Sequence, residues 1–476
     1  MLPGLLGRHA HGLYRADRCS AVCLDPVSLL SEIAPEPILK SIARGRMVVT
    51  DLEVITITPT SAVIAWTTRQ SRLGVGVPQP VTAGTELALG PVNGPLRTVH
   101  DDPTPRAFHM VEVTGLEPGR RYRFKATSDG QQAHAALLPT LQVGSCEQIN
   151  EFTTLTPPPG EYLTTIALTN DIHIGEKRQG IVLGSLPTSV QPHPDQVDYP
   201  QLMLSASLDD LTTRRGHPFV VVNGDITYAN LPDEVELARQ LLDGYGEQDA
   251  DWVATRGNHD HPRRDDDPFG DVFVGYQRNQ TILDPSGVRV LAMDSTRGSG
   301  GGWIVPDQYD QIMSELESDP HRPTLAVTHH PVTNEAAWTS ISGPQFMLRA
   351  SDRLRLQLLE NQAPGVFLHV AGHTHRMRRD RADLLWAHTQ YLENAACAAY
   401  PGGFSLLHLY TGGYLLNFWR PSDPDAHDWL YRSRWQVMGL GAHLMLGRTE
   451  DRNHVVEFDL SGLVPAQRQV PAELRT

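Results

Sequence analysis

Five short blocks in the middle of the chain carry residue types that bind metal ions. They are Asn170-Asp171-Ile172-His173, Gly224-Asp225, Gly257-Asn258-His259-Asp260, His329-His330-Pro331 and Gly372-His373-Thr374-His375. Each follows a strand-like apolar run, at 165–168, 219–222, 252–254, 325–327 and 366–370. In open α/β sheets ligands bind beyond the carboxyl ends of strands. Five such exits bearing Asp, Asn and His point to one site assembled from five loops. A catalytic zinc needs about three protein ligands plus water, and this set offers more than twice that. Two ions are therefore expected, sharing one bridging carboxylate. Two-metal sites clamp the attacking and leaving oxygens of an in-line displacement at phosphorus. Imidazole with carboxylate favours manganese, iron, zinc or cobalt over calcium.

The ordered series D-x-H, GD, GNHD, HHP and GHTH, over roughly residues 164–376, resembles the calcineurin-like metallophosphoesterase superfamily. One block alone is weak, because a lone G-H-x-H often marks a turn with a surface histidine. The specificity lies in the order of all five. The resemblance implies a four-layer α/β/β/α sandwich holding two divalent or trivalent ions. Asp171, His173 and His375 would hold the first ion, and Asn258, His329 and His373 the second, with Asp225 bridging. His259 would be the non-ligand histidine that protonates or stabilises the leaving oxygen. The implied reaction is hydrolysis of a small-molecule phosphate ester by in-line attack of a metal-bound hydroxide. His330 is expected beside the ligands rather than among them.

The substrate class is less determined. Tyr228, three residues after Asp225, is similar to the iron-binding tyrosine of purple acid phosphatases, which lack the histidine found here at His173. The D-x-H opening and the His-His-Pro block resemble cyclic-nucleotide phosphodiesterases instead. His173 is taken as the ligand, and Tyr228 as a neighbour facing substrate. Arg376, His261 and His330 are the other candidate substrate contacts, and Arg256, Arg263 and Arg264 also flank the blocks. With few cationic donors in an acidic chain, a phosphodiester is favoured over a phosphomonoester. A non-catalytic binding or adaptor protein is the remaining alternative.

Behind the blocks, the chain divides into four stretches. Residues 1–45 read as an arm with short helices around 26–43. Residues 46–155 carry β-branched runs, an early Trp66 and Tyr122 just after a Leu-Glu-Pro-Gly corner. That pattern resembles a fibronectin type III domain, more narrowly the amino-terminal domain of purple acid phosphatases. The stiff Thr156-Pro157-Pro158-Pro159-Gly160 follows as a linker. The phosphoesterase domain is placed at 160–420, with helices expected at 201–213, 233–242 and 307–317 and paired strands at 404–410 and 414–419. Gly298–Gly302 lacks the Lys-Ser/Thr of a phosphate-binding loop and is expected as a mobile loop. Residues 421–476 form an extension with a strand near 454–458.

Composition restricts the partners. A formal charge of −15 in 476 residues argues against nucleic-acid polymers and anionic membranes. It leaves a phosphate substrate open, because bound dications set the local sign. No run approaches the ~20 apolar residues of a membrane span, and the first residues lack a secretory signal pattern. Four scattered cysteines suggest a reducing, cytoplasmic setting. Neither composition nor motif indicates an oligomeric state.

Overall fold

The computed structural model describes residues 47–466 apart from 71–75, 137–143, 181–188, 195, 263–264, 299 and 342, together with 471 and 474. The expected arm, with Cys19 and Cys23, and Arg263 and Arg264 lie outside the described residues.

Residues 47–153 form two antiparallel sheets facing one another. One joins Met47–Ile57, Ser61–Gln70 and Phe108–Thr114; the other joins Arg97–Arg106, Ala83–Pro91, Arg121–Ser128 and two short strands. Alternating side chains from both sheets, among them Ile64, Trp66, Leu87 and Phe124, make a core of their own. Trp66 is fully buried and its indole N–H donates to Ser128 Oγ at 2.9 Å. The Tyr122 hydroxyl accepts the Glu117 N–H at 2.9 Å, closing the corner that the sequence marks.

After the prolines come two six-stranded sheets. The first runs Trp252–Thr255, Phe219–Asn223, Tyr162–Thr169, Phe404–Tyr410, Gly413–Trp419 and Asn453–Glu457. Its first three strands are parallel and the rest antiparallel. The second runs Asn279–Leu283, Arg289–Met293, Thr324–Thr328, Val366–Ala371, Gln390–Glu393 and Arg378–Asp380, with a parallel centre. Strands buried on both faces need continuous apolar or β-branched runs, which Phe219–Asn223 and Thr324–Thr328 supply. Helices Tyr199–Thr213, Pro232–Tyr245 and Pro424–Ser433 bury Leu211, Leu242 and Trp429 in the first sheet's core. Pro306–Ser318 and Ala350–Gln362 bury Ile312 and Leu356 beside the second. The result is a four-layer α/β/β/α sandwich. Pro306 sits in the first turn of its helix, where a missing N–H costs nothing.

The first amino-terminal sheet and residues 400–434 meet in a buried ionic knot. Glu53 of the amino-terminal sheet accepts from Arg420 Nη1 at 2.8 Å, Arg434 Nε at 3.2 Å and the Tyr400 hydroxyl at 2.7 Å. Burial alone would raise the Glu53 carboxyl, but Arg420 and Arg434 hold it below its ordinary value. No helix among the described residues is long and apolar enough to cross a membrane.

Candidate metal centre

All seven expected ligands converge at the carboxyl ends of five strands. Three of the strands belong to the first sheet and two to the second. Asp171 and His173 follow Tyr162–Thr169, Asp225 follows Phe219–Asn223, and Asn258 follows Trp252–Thr255. His329 follows Thr324–Thr328, while His373 and His375 follow Val366–Ala371. The sheets are tied there by Asn223, whose Nδ2 donates to the carbonyls of Thr328 at 2.9 Å and Val370 at 3.3 Å.

The donors fall into two groups. His375 Nε2 lies 3.2 Å from Asp171 Oδ1 and 3.2 Å from His173 Nε2. His373 Nδ1 lies 2.8 Å from Asn258 Oδ1, and its ring centroid is 5.3 Å from that of His329. Between the groups stands Asp225, its Oδ2 3.1 Å from His329 Nε2 and 3.8 Å from His173 Nε2.

The backbone is strained where it delivers these groups. Asp171, His173, Asp225, His373 and His375 all hold a left-handed φ, between 49° and 66°. Non-glycine residues there cost of order 1–3 kcal/mol each and cluster at functional sites. At Gly257 any side chain is excluded, since a Cβ would lie 2.0 Å from the Asp225 N. The glycine lets the GNHD loop lie directly against the bridging aspartate.

The donor chemistry suits cations. His173 Nδ1, His330 Nε2 and His373 Nε2 are shielded from solvent and lack a hydrogen-bond partner among the described residues, which buried imidazoles rarely tolerate. The Asn223 carbonyl, 3.1 Å from His329 Nδ1, fixes the tautomer that turns Nε2 toward Asp225. Burial pushes His173 down to about 3 and His373 to about 4. Burial alone would raise Asp225, but His329 and His259 hold it well below the carboxylate range. These three groups thus stand in the deprotonated state that binds metal. Burial would lower His329, yet the Asp225 carboxylate lifts it to about 9, so a cation arriving there displaces a proton.

His259 lies at the rim. Its N–H donates to Asp225 Oδ1 at 2.7 Å and its Nδ1 meets the Tyr228 carbonyl at 2.8 Å. Its ring stacks on Tyr228 and meets His173 edge-on at 4.7 Å. Tyr228 is 38% exposed. One nitrogen of His259 also comes within 4.8 Å of donor atoms of His173 and Asp225, so proximity alone does not separate it from the ligands. His330 is buried beside His373, ring to ring 4.7 Å, with Nδ1 2.9 Å from Ser295 Oγ.

Two expectations need correction. Arg376 does not face the centre: its Nε and Nη2 grip Glu393, and Nη1 and Nη2 donate to Thr339. Four of its five N–H groups are thereby engaged, at 6% exposure. The expected loop at Gly298–Gly302 contains a short hairpin, Thr296–Arg297 against Gly301–Gly302, seated on His330. His261 contacts the carbonyl of its neighbour Pro262 at 3.0 Å. Arg256 is likewise engaged, with Asp267 at 2.7 and 2.9 Å.

Sequence reasoning assigned nothing to Asp260, which organises two loops. Its carboxylate accepts from the N–H groups of Ile226, Thr227 and Gly257 and from Thr227 Oγ1, at 2.7–3.1 Å. Burial, and next Asp225, raise it to about 6. The only available signal was its place as fourth residue of the GNHD block.

Residues 164–377 match the model of the calcineurin-like phosphoesterase family, and this segment is a domain of that family. A curated relative, glycerophosphodiester phosphodiesterase GpdQ of Enterobacter lignolyticus (strain SCF1), is 28% identical over 125 residues, 24% of this chain. The match spans 41% of the relative's length. Among solved structures, a purple acid phosphatase from yellow lupin (Lupinus luteus) seeds aligns over 79% of this chain and 72% of its own, with 16% identity and a TM-score of 0.39. A dimetal phosphatase from Danio rerio aligns over 55% of this chain and 98% of its own, with 14% identity and a TM-score of 0.40.

Proposed function

We propose that the chain is a binuclear metal-dependent phosphoesterase acting on small-molecule phosphate esters, with phosphodiesters of cyclic-nucleotide-like size favoured. The observation that carries this reading is Asp225 Oδ2, placed between the His173 and His329 nitrogens that head two separate donor groups. Asp171, His173 and His375 would hold one ion, Asn258, His329 and His373 the other, and Asp225 both; manganese, iron, zinc or cobalt suits these donors. When bound, the cations would supply an activated water and positive charge against the phosphoryl oxygens.

The protein's own groups do the rest. The Tyr228 carbonyl accepts the Nδ1–H of His259, so Nε2 of the imidazolium form is the nitrogen that gives a proton to the leaving oxygen, leaving the neutral Nδ1–H ring. The hydrogen bond from the His259 N–H to Asp225 keeps that ring in register with the bridging carboxylate. Tyr228, stacked on His259 and partly exposed, offers a flat wall for the alcohol portion of the substrate.

A phosphomonoester brings a second negative charge, which extra cationic donors would need to meet. Arg256 and Arg376, the described arginines that adjoin the blocks, are both held by carboxylates. This supports the diester reading, as does the activity printed in the name of the GpdQ relative. The purple acid phosphatase reading rests on Tyr228, whose ring lies 6.5 Å from that of His173. A cytoplasmic setting rests on cysteine usage in the sequence alone.

The test compares bis-aryl and mono-aryl phosphates with one leaving group, with and without chelator. Chelator-sensitive hydrolysis with a higher kcat/KM for the diester is expected. A monoester preference above about tenfold, ~1.4 kcal/mol in transition-state terms, would reverse the order. No chelator-sensitive hydrolysis of either ester would leave the adaptor reading in its place.

A further inference from the structure

A cavity of about 290 Å³ lies far along the chain from the metal-binding blocks, where the amino-terminal sheets meet residues 434–443. Its size sits at the lower end of small-molecule sites, which combine an apolar wall with a few placed polar groups. Here the wall includes Trp435, Met438 and Leu440. The polar groups are Thr50, Asp51, Arg69, Arg434 and His443, with Asp51 paired to Arg434.

Three observations converge on this space. First, Arg69 Nε, Trp435 Nε1 and His443 Nδ1 are all shielded from solvent and have no hydrogen-bond partner among the described residues. Shielded donors without partners are rare in native proteins. Second, the charges do not balance. Arg434 is met by Asp51 at 3.2 Å and Glu53 at 3.2 Å. Arg69 instead lies over the Trp435 ring, 5.2 Å from its centroid, and no carboxylate among the described residues pairs with it. Third, Val437 and Met438 hold left-handed φ of 49° and 57° at the cavity's edge. A β-branched residue there is a genuine outlier, and such strain persists at ligand clamps.

We infer that this cavity binds a small organic anion with a flat apolar body. The anionic head meets Arg69 Nε–H and the Trp435 indole N–H, two donors whose side chains lie against one another. Charge-assisted bonds of that kind are the stronger class. The body lies against Met438 and Leu440. The site is separate from the phosphoesterase centre and does not depend on its chemistry.

The probe is 1-naphthoate, titrated into the full-length protein, followed by tryptophan fluorescence and counted by equilibrium dialysis. Saturable binding of one equivalent per chain is expected. Arg69→Gln should weaken it about tenfold or more, the loss of one charge-assisted contact. Leu440→Trp, from an exposed position, should fill the space and abolish binding. Aryl phosphate hydrolysis and melting temperature should stay unchanged in both variants. Absence of saturable binding, or wild-type affinity in either variant, would overturn the inference.

Discussion

At the scale of single residues, Asp225 and His259 divide the work in a way that experiment can separate. Asp225 Oδ2 faces nitrogens of both donor groups, whereas His259 is anchored to a backbone carbonyl. Asp225→Ala should therefore empty both cation positions, read by elemental analysis; full occupancy of two ions in that variant would sink the bridging role. His259→Ala should keep its cations and lose roughly 10²–10⁴-fold in turnover, the usual scale of general acid–base assistance. The loss should be largest with a poor leaving group, whose oxygen needs the proton most. An unchanged rate with such a substrate refutes the assignment. The ligands could be named from the sequence because each block carries its chemistry in adjacent letters. The orientation of Arg376 could not be read that way. Its partners, Glu393 and Thr339, lie 17 and 37 residues away, and only the fold brings them to it.

At the scale of elements, the loops are rigid because other loops hold them. Asp260→Ala would strand the N–H groups of Ile226, Thr227 and Gly257, each worth about 1–3 kcal/mol when buried and unpaired. A drop of at least ~3 kcal/mol in urea-unfolding stability is expected, with weakened cation retention; a change under ~1 kcal/mol would show that the carboxylate is dispensable. Strand placement was readable where burial imposes a pattern. Tyr162–Thr169, Phe219–Asn223 and Val366–Ala371 are nearly continuous apolar or β-branched runs. Arg97–Arg106 escaped notice because it is mostly exposed and polar, pairing through its backbone against Ala83–Pro91. Gln390–Glu393, four residues long, is too short to show a period.

At the scale of the whole molecule, four histidines remote from the centre are buried without charge. Burial pushes His109 and His427 to about 4, and His408 and His454 to about 3. Their folded values lie below the unfolded one, so the unfolded chain binds more protons as pH falls. Stability is complete above about pH 6.5 and is lost below it, by up to ~1.4 kcal/mol per pH unit for each histidine. Urea unfolding of wild type and His408→Asn between pH 6.5 and 4.5 checks this. The variant's slope should be shallower by about one histidine's share, and parallel slopes would count against it. Chain order adds a constraint of a different kind, one of time. The strands of the amino-terminal sheets lie within residues 47–153 and can pair while synthesis continues. Tyr162–Thr169, by contrast, waits for Phe404–Tyr410 beside it. At ~5–20 residues per second that wait lasts roughly ten to fifty seconds. Throughout it Asp51 and Glu53 have no Arg420 or Arg434 to meet. On the ribosome the chain is thus two unequal pieces, a finished sandwich and a half-built sheet, which become one body only once residues 404–457 exist.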